Sequence, residues 1–277
     1  MSTLVPPLFA GLVDDASLLP PSLIGLPDAA AKHREHTTAW YAGLLGSLLV
    51  PASVAAAEPV PDLTAVLIGD VPIGALPVIV DKVRAAGAVV RHVEAAVARR
   101  GEDPQPGLAG LFALAVDLPV YAEIPLSWGL LSALDTVAEA RAQGLRIAPK
   151  FRVGGLAAEL FPTPVELAAI ICACRDRNLP FKLAAGLRHA LRHTDPETGF
   201  THHGFLNVLV ASAVAVEGGE VAEVAESLAA THPLPLVEPA RERRDADRPL
   251  WIGYGSVNVI EPLTDLVRLG LIDGGYE

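Results

Sequence analysis

The sequence is short of cysteine, of aromatic residues and of charge. It holds two cysteines, 5% aromatic residues and 19% charged residues in a chain of 277. Cys172 and Cys174 fall two apart in one predicted helix, so their side chains leave on different sides and no disulfide framework is expected. Two thiols without a framework suit a reducing compartment, and a soluble, cytoplasmic protein is expected. With so few aromatics, the core must be built mostly from Ala, Val, Leu and Ile. Low charge combined with 51% hydrophobic residues excludes disorder. No Lys or Arg precedes Lys32, and Asp14 and Asp15 interrupt the early apolar stretch, so no secretory leader is expected. The apolar stretch 205–216 contains Asn207 and Ser212 and stops at Glu217. It is too short to cross a bilayer and reads as a buried helix, so no membrane partner is expected. The sequence also lacks a Gly-rich dinucleotide turn, an internal repeat, a linker and a compact metal motif.

What is present is alternation. Short β-type runs at 8–13, 48–53, 64–70, 89–95, 119–125, 146–152, 180–186 and 250–256 are separated by helical runs. The helices are expected at 28–45, 73–86, 106–116, 130–143, 163–177, 204–216, 219–230 and 261–270. The short stretch between strands 2 and 3 leaves any helix there in doubt. Eight such units predict a parallel sheet closed into a (β/α)8 barrel, a single domain over 1–277, with an extended segment between strands 7 and 8. Strand 8 is expected beside strand 1. An open, doubly wound sheet is the alternative. Residues 187–203 and 231–248 are polar, and the charge-rich part of the second is expected to be a solvated loop or mobile lid.

Residues i and i+2 of a strand share a face. In strand 6 this puts Ile147, Pro149 and Phe151 outside and Lys150 and Arg152 inside. In strand 7, Lys182 and Ala184 point inward. His92 and Glu94 share a face of strand 4, as Tyr121 and Glu123 do on strand 5, and Asp14 and Asp15 end strand 1. Charges inside a barrel are costly unless paired or used, and active sites sit at the C-terminal strand ends. The two lysines therefore read either as functional groups or as part of a salt-bridge network.

Four segments resemble class I (Schiff-base) aldolases, in particular the deoxyribose-phosphate aldolase group. They are Val13-Asp14-Asp15-Ala16-Ser17-Leu18-Leu19-Pro20 in strand 1 and Lys150 followed by Gly154 and Gly155 after strand 6. The others are Lys182-Leu183-Ala184-Ala185-Gly186-Leu187-Arg188 at strand 7, the most specific, and Ile252-Gly253-Tyr254-Gly255-Ser256 at strand 8. The resemblance covers strand ends in chain order, not the whole length. It departs at Lys150-Phe151-Arg152-Val153, where the family is richer in Ser and Thr, and in the insertion before strand 8. It implies a lyase in which Lys150 is the Schiff-base nucleophile and Lys182 keeps it neutral. A second ammonium ~5 Å away, at an effective dielectric of ~20, contributes about 3 kcal/mol of repulsion, enough to lower a pKa by roughly two. Asp14, Asp15, Glu94 and Glu123 are candidates for proton transfer at the substrate carbon. Asp15 could equally cap the turn before Leu18, and Glu123 could simply pair with Lys150 or Arg152.

The basic cluster Arg188, His189, Arg192, His193, His202 and His203 follows strand 7. With a net charge of −11 the chain should repel nucleic acid, so this cluster points to a small anion. Arg152, Arg188, Gly253, Gly255 and Ser256 are the candidate substrate- or anion-binding residues; the alternative pairs Arg188 on the surface with Asp195 and Glu197. The expected ligand is a small phosphorylated or carboxylated carbonyl compound, with no cofactor; a homo-oligomer is compatible. The competing readings are a metal-dependent isomerase, hydrolase or lyase using His92, Glu94 and His202, joined by Asp14, Asp70 or Glu123, and a barrel that binds without turnover.

Overall fold

The computed structural model describes residues 5–20 and 24–274. Strands form where aliphatic runs find cover on both faces: β1 (Val13–Asp15), β2 (Leu45–Pro51), β3 (Thr64–Gly69), β4 (Val89–Ala96), β5 (Val120–Glu123), β6 (Ile147–Arg152) and β7 (Phe181–Ala184). A two-stranded antiparallel ribbon, β8 (His193–Thr194) with β9 (Thr201–His202), precedes β10 (Trp251–Ser256). Eight strands, all pairing parallel, close into a barrel in the order β1-β10-β7-β6-β5-β4-β3-β2. The seam joins β10 to β1, with Val13 opposite Tyr254.

Helices alternate with the strands: α1 (Leu26–Thr38), α2 (Ala52–Ala57), α3 (Leu76–Ala85), α4 (Gln105–Asp117), α5 (Leu130–Ala142) and α6 (Pro164–Asp176). Then come α7 (Phe205–Val216), α8 (Val221–Ala229), α9 (Leu234–Glu242) and α10 (Ile260–Arg268). The architecture is an α/β (β/α)8 barrel. Outward residues build the main core; the Phe151 and Phe181 rings meet at 6.2 Å on the outside of β6 and β7. Inside, Ala16, Leu49 and Val66 form a separate small cluster against Leu19 and Ile68.

Three expectations are corrected. The run 8–13 is largely a turn: Pro7–Phe9 is a 3-10 helix, Gly11 has φ +58°, and the strand begins at Val13. The helix expected over 28–45 ends at Thr38, because Leu45 is already the start of β2. The charge-rich stretch is not all solvated loop. Its first part is α9, which buries Leu236, Val237 and Ala240, an i, i+1, i+4 stripe. α7 is apolar almost all round because it is covered from both sides: Tyr254 of β10 stacks on Phe205, and α8 and α9 pack over it. The doubtful helix between strands 2 and 3 exists as the six-residue α2.

Arg248, from the same charged run, is inward rather than solvated. Its guanidinium donates to the carbonyls of Leu8 (2.8 Å), Ala10 (3.1 Å), Trp251 (2.9 Å) and Ile252 (2.6 Å). It ties the approach to β1 to the start of β10. Cys172 and Cys174 are buried and unpaired. Among the described residues, no helix is long and apolar enough to cross a membrane.

Candidate active site

The strand registers bring the inward charges of β1, β4, β5, β6 and β7 together. Glu123 lies opposite Lys150, and Lys150 opposite Lys182. At the centre is Glu94 of β4, whose side chain has no exposed surface. One of its oxygens takes the Lys182 ammonium and a 3.0 Å contact from His92 Nε2; the other lies 2.9 Å from Lys150 Nζ. Lys182 also bonds Asp14, and Lys150 lies 2.9 Å from Glu123 Oε2. Arg152 closes the chain with Nε donating to Glu123 Oε1 at 3.0 Å. Three cations and three carboxylates thus interlock.

The backbone is shaped for this. The Asp14 carboxylate accepts from the Ser47 N–H at 2.6 Å, and a Cβ on Gly46 would lie 2.0 Å from Asp14 Oδ1. Glycine at 46 is therefore a requirement of space. Tyr121 packs beside the network, its ring 5.5 Å from Lys182 Nζ and edge-on to His92 at 4.6 Å.

The electrostatics set two carboxylates against the neutral amine expected at Lys150. Burial pulls the Lys150 pKa down, but Glu94 and Glu123 more than offset this and hold it above the ordinary lysine value. Lys182 behaves likewise: burial lowers its pKa, and Asp14 and Glu94 raise it further. Burial pushes Glu94 up, yet Lys150, Lys182 and His92 together hold its carboxyl well below the usual range. Glu123 is lowered by Lys150 and Arg152 against its own burial. The two ammonium groups do not simply oppose each other, because a carboxylate stands between them. Lys150 rests as an ammonium.

The other expected residues go elsewhere. Asp15 follows inward Asp14 and turns to the opposite side, toward α1, where Oδ2 takes the His33 Nδ1–H at 3.1 Å and Oδ1 caps the Ser17 N–H at 3.0 Å. Those bonds overcome its burial and lower its pKa. Arg188 makes its two-point contact with Glu261, at 2.6 and 2.7 Å, so its fork is engaged on the surface rather than held open for an anion. The surface partner is Glu261, not the expected Asp195 or Glu197. Gly253 (φ +151°) is needed because a Cβ would lie 2.5 Å from the Leu12 carbonyl oxygen, and Gly255 makes room for Leu49. Ser256 Oγ donates to the Asn258 carbonyl at 2.9 Å.

His202 does not join His92 and Glu94. It stacks on His193 and meets Phe161 edge-on. Among the described residues, no three His, Cys, Asp or Glu side chains are arranged to hold a metal ion. Asp70 caps Ser53, accepting its N–H at 2.9 Å. Burial lowers His203 to about 4; it donates to the Pro162 carbonyl at 2.8 Å and faces Arg192 with its other nitrogen. A cavity of about 630 Å³ opens away from the network, between α5 and α6, lined by Leu130, Leu131, Phe161, Ala169, Ile170 and Arg100.

Sequence reasoning missed Gly46, Ser47, His33 and Arg248. Gly46 carried a signal, a glycine inside an aliphatic run; His33 and Arg248 carried none. Comparison of the chain with protein-family models, with curated proteins and with solved structures found no match. The class of the protein thus stands on its closed (β/α)8 barrel.

Proposed function

We propose that the protein is a class I aldolase-like lyase in which Lys150 forms a Schiff base with a small anionic carbonyl compound. The observation that carries this reading is the pairing of Lys150 and Lys182 on adjacent strands with Glu94 between them. Lysines placed so at the strand ends of a barrel suit carbonyl chemistry. Lys150 is the better nucleophile of the two. Each lysine is held by two carboxylates, and the choice falls on Lys150 because its second partner, Glu123, is shared with the solvent-exposed Arg152 at the mouth.

The step balances through Glu123. Lys150 passes a proton to the Glu123 carboxylate, and the amine lone pair forms the N–C bond. The carbonyl π pair moves to oxygen, which takes that proton to give a carbinolamine. A second proton from the amine, again carried by Glu123, lets water leave, and the nitrogen pair forms a protonated imine. The net change is an ammonium plus a carbonyl going to an iminium plus water. The iminium then accepts the electron pair of the breaking C–C bond, so no separate cofactor is required. Lys182 keeps positive charge beside this centre and holds Glu94 ionised. Cytoplasmic conditions would keep Cys172 and Cys174 reduced.

The test is borohydride reduction with a panel of small aldehydes and oxo acids, followed by peptide mapping. A stable adduct on Lys150 is expected, and Lys150→Ala should lose adduct and turnover together. Turnover that survives Lys150→Ala sinks the reading. An adduct on Lys182 reverses the roles, and saturable binding without any adduct points to a barrel that binds without turnover.

A further inference from the structure

We infer that the substrate is a short oxo acid whose carboxylate takes Arg152 away from Glu123, and that this exchange readies Lys150 for attack. The inference rests on the Schiff-base reading and adds to it a substrate class and a trigger.

Arg152 differs from the other cations of the network in its access to solvent. Its side chain is 47% exposed, against 7% for Lys150 and 3% for Lys182. It has one carboxylate partner there, Glu123, whereas each lysine has two. The rim positions beside this pair are small: Ala96 lies opposite Glu123 and Ala184 opposite Arg152. Neither of these register partners carries a side chain beyond Cβ.

Position then limits the ligand. Lys150 and Arg152 are i and i+2 on β6, on one face and roughly 6.5 Å apart along the strand. Lys150 Nζ and Arg152 Nε already share the two oxygens of Glu123, at 2.9 and 3.0 Å, so a carbonyl at Lys150 and an acceptor at Arg152 fit neighbouring groups of one short ligand. A guanidinium binds a carboxylate through two parallel bonds. A phosphate dianion would call for further positive charge, and the nearest other cations are already neutralised by their own carboxylates. On the far side, Leu19 and Ile68 pack against Ala16, Leu49 and Val66, beside the inward Asp14.

The exchange has a chemical consequence. Arg152 and Lys150 together keep Glu123 ionised. When the substrate carboxylate takes the guanidinium, Glu123 faces Lys150 alone at 2.9 Å. Its basicity rises, the ammonium proton crosses to it, and a neutral amine is left beside the bound carbonyl. The proton stays within the pair, and the anionic charge lost at Glu123 is replaced by that of the substrate. An uncharged carbonyl compound cannot draw Arg152 away, so Lys150 stays an ammonium in its presence.

The experiment is borohydride trapping on the full chain, mapped to Lys150, with pyruvate, methyl pyruvate and glyceraldehyde 3-phosphate as probes. Pyruvate should be trapped fastest although the ester is the stronger electrophile. Arg152→Gln should slow pyruvate trapping about 10–100-fold, the range expected on losing a charged hydrogen bond. The same variant should speed trapping of methyl pyruvate, because Glu123 is then free from the start. Arg152→Lys should retain part of the preference for the acid. The inference is overturned if the wild-type protein traps the ester or the phosphate as readily as pyruvate. It is also overturned if Arg152→Gln slows acid and ester equally. In both cases an adduct on Lys150 would leave the Schiff-base reading standing; no adduct from any probe would remove both.

Discussion

Lys150 and Lys182 are register partners on neighbouring strands, yet each ammonium faces a different oxygen of Glu94. The carboxylate between them converts a repulsive pair into a bridged one. This is why proximity of two lysines, by itself, does not give a neutral amine here.

Glu94→Gln should therefore expose the repulsion. Lys150 would lose one of its two anions while Lys182 kept Asp14. The Lys150 pKa should fall, moving the rising limb of Schiff-base trapping to lower pH. Lys182→Ala should act in the opposite direction by removing a like charge and leaving Glu94 for Lys150 alone. It should also cost about 3–5 kcal/mol of stability, since Asp14 would keep its charge without a cation and Glu94 would keep only Lys150. Trapping rates against pH, with denaturation midpoints, read both effects; a Glu94→Gln limb that stays in place refutes the bridging account.

Stability should have an acid limb and an alkaline limb. Glu94, Glu123 and Asp15 have folded-state values below the ordinary ones. Their contribution is full above the unfolded values of ~3.9–4.3 and is lost as pH falls through the lower folded values. Lys150 and Lys182 are shifted upward. Their contribution is full below ~10.4 and is lost as pH rises through the higher folded values. Urea midpoints should form a plateau only between about pH 7 and 8.5, because His203, lowered to about 4, costs stability as pH falls below ~6.5, and the Cys174 thiol, pushed up by burial, does so as pH rises above ~8.5. Glu94→Gln should flatten the acid limb; an unchanged limb would show that the network is not what titrates.

Gly46→Ala tests the backbone cradle. Its new Cβ cannot coexist with Asp14 in its present place, 2.0 Å away. We expect a loss of about 1–3 kcal/mol from overpacking, and Lys182 freed from one of its two anions. Wild-type stability in this variant would mean that Asp14 moves without cost.

Arg248→Ala should leave four carbonyls at the barrel seam without their donor. A loss of about 2–4 kcal/mol is expected, in keeping with charged hydrogen bonds that are partly buried. Arg248→Lys should recover only a fraction, because an ammonium cannot spread its donors over a guanidinium fork. Chemical denaturation of the two variants checks the order.

The barrel and much of the ionic site were legible because charge stands out against aliphatic alternation. Lys150 and Arg152 in strand 6, Lys182 in strand 7 and Glu94 in strand 4 each break a period-2 pattern on its inward face. What a pattern cannot supply is the partner. Asp14 and Asp15 are adjacent and chemically alike; the pairing of β1 with β10 and β2 decides which one meets Lys182. Arg188 looked available because Glu261, 73 positions away, was invisible to local reading. The charged run before strand 8 hid two opposite fates, since its apolar stripe folds as α9 and Arg248 goes inward. The direction of the Lys150 shift depended on a residue of another strand, Glu94, lying between two lysines.

The seam that Arg248 ties also sets the order in which a nascent chain can finish the protein. Leu8 and Arg248 are 240 positions apart. During translation β1 can pair with β2 early, but its other edge has no mate until β10 leaves the ribosome. At roughly 5–20 residues per second, that edge stays open for about 12–50 s. Unpaired strand edges are where chains stick to one another. The three-residue length of β1 keeps that exposed edge small throughout the wait.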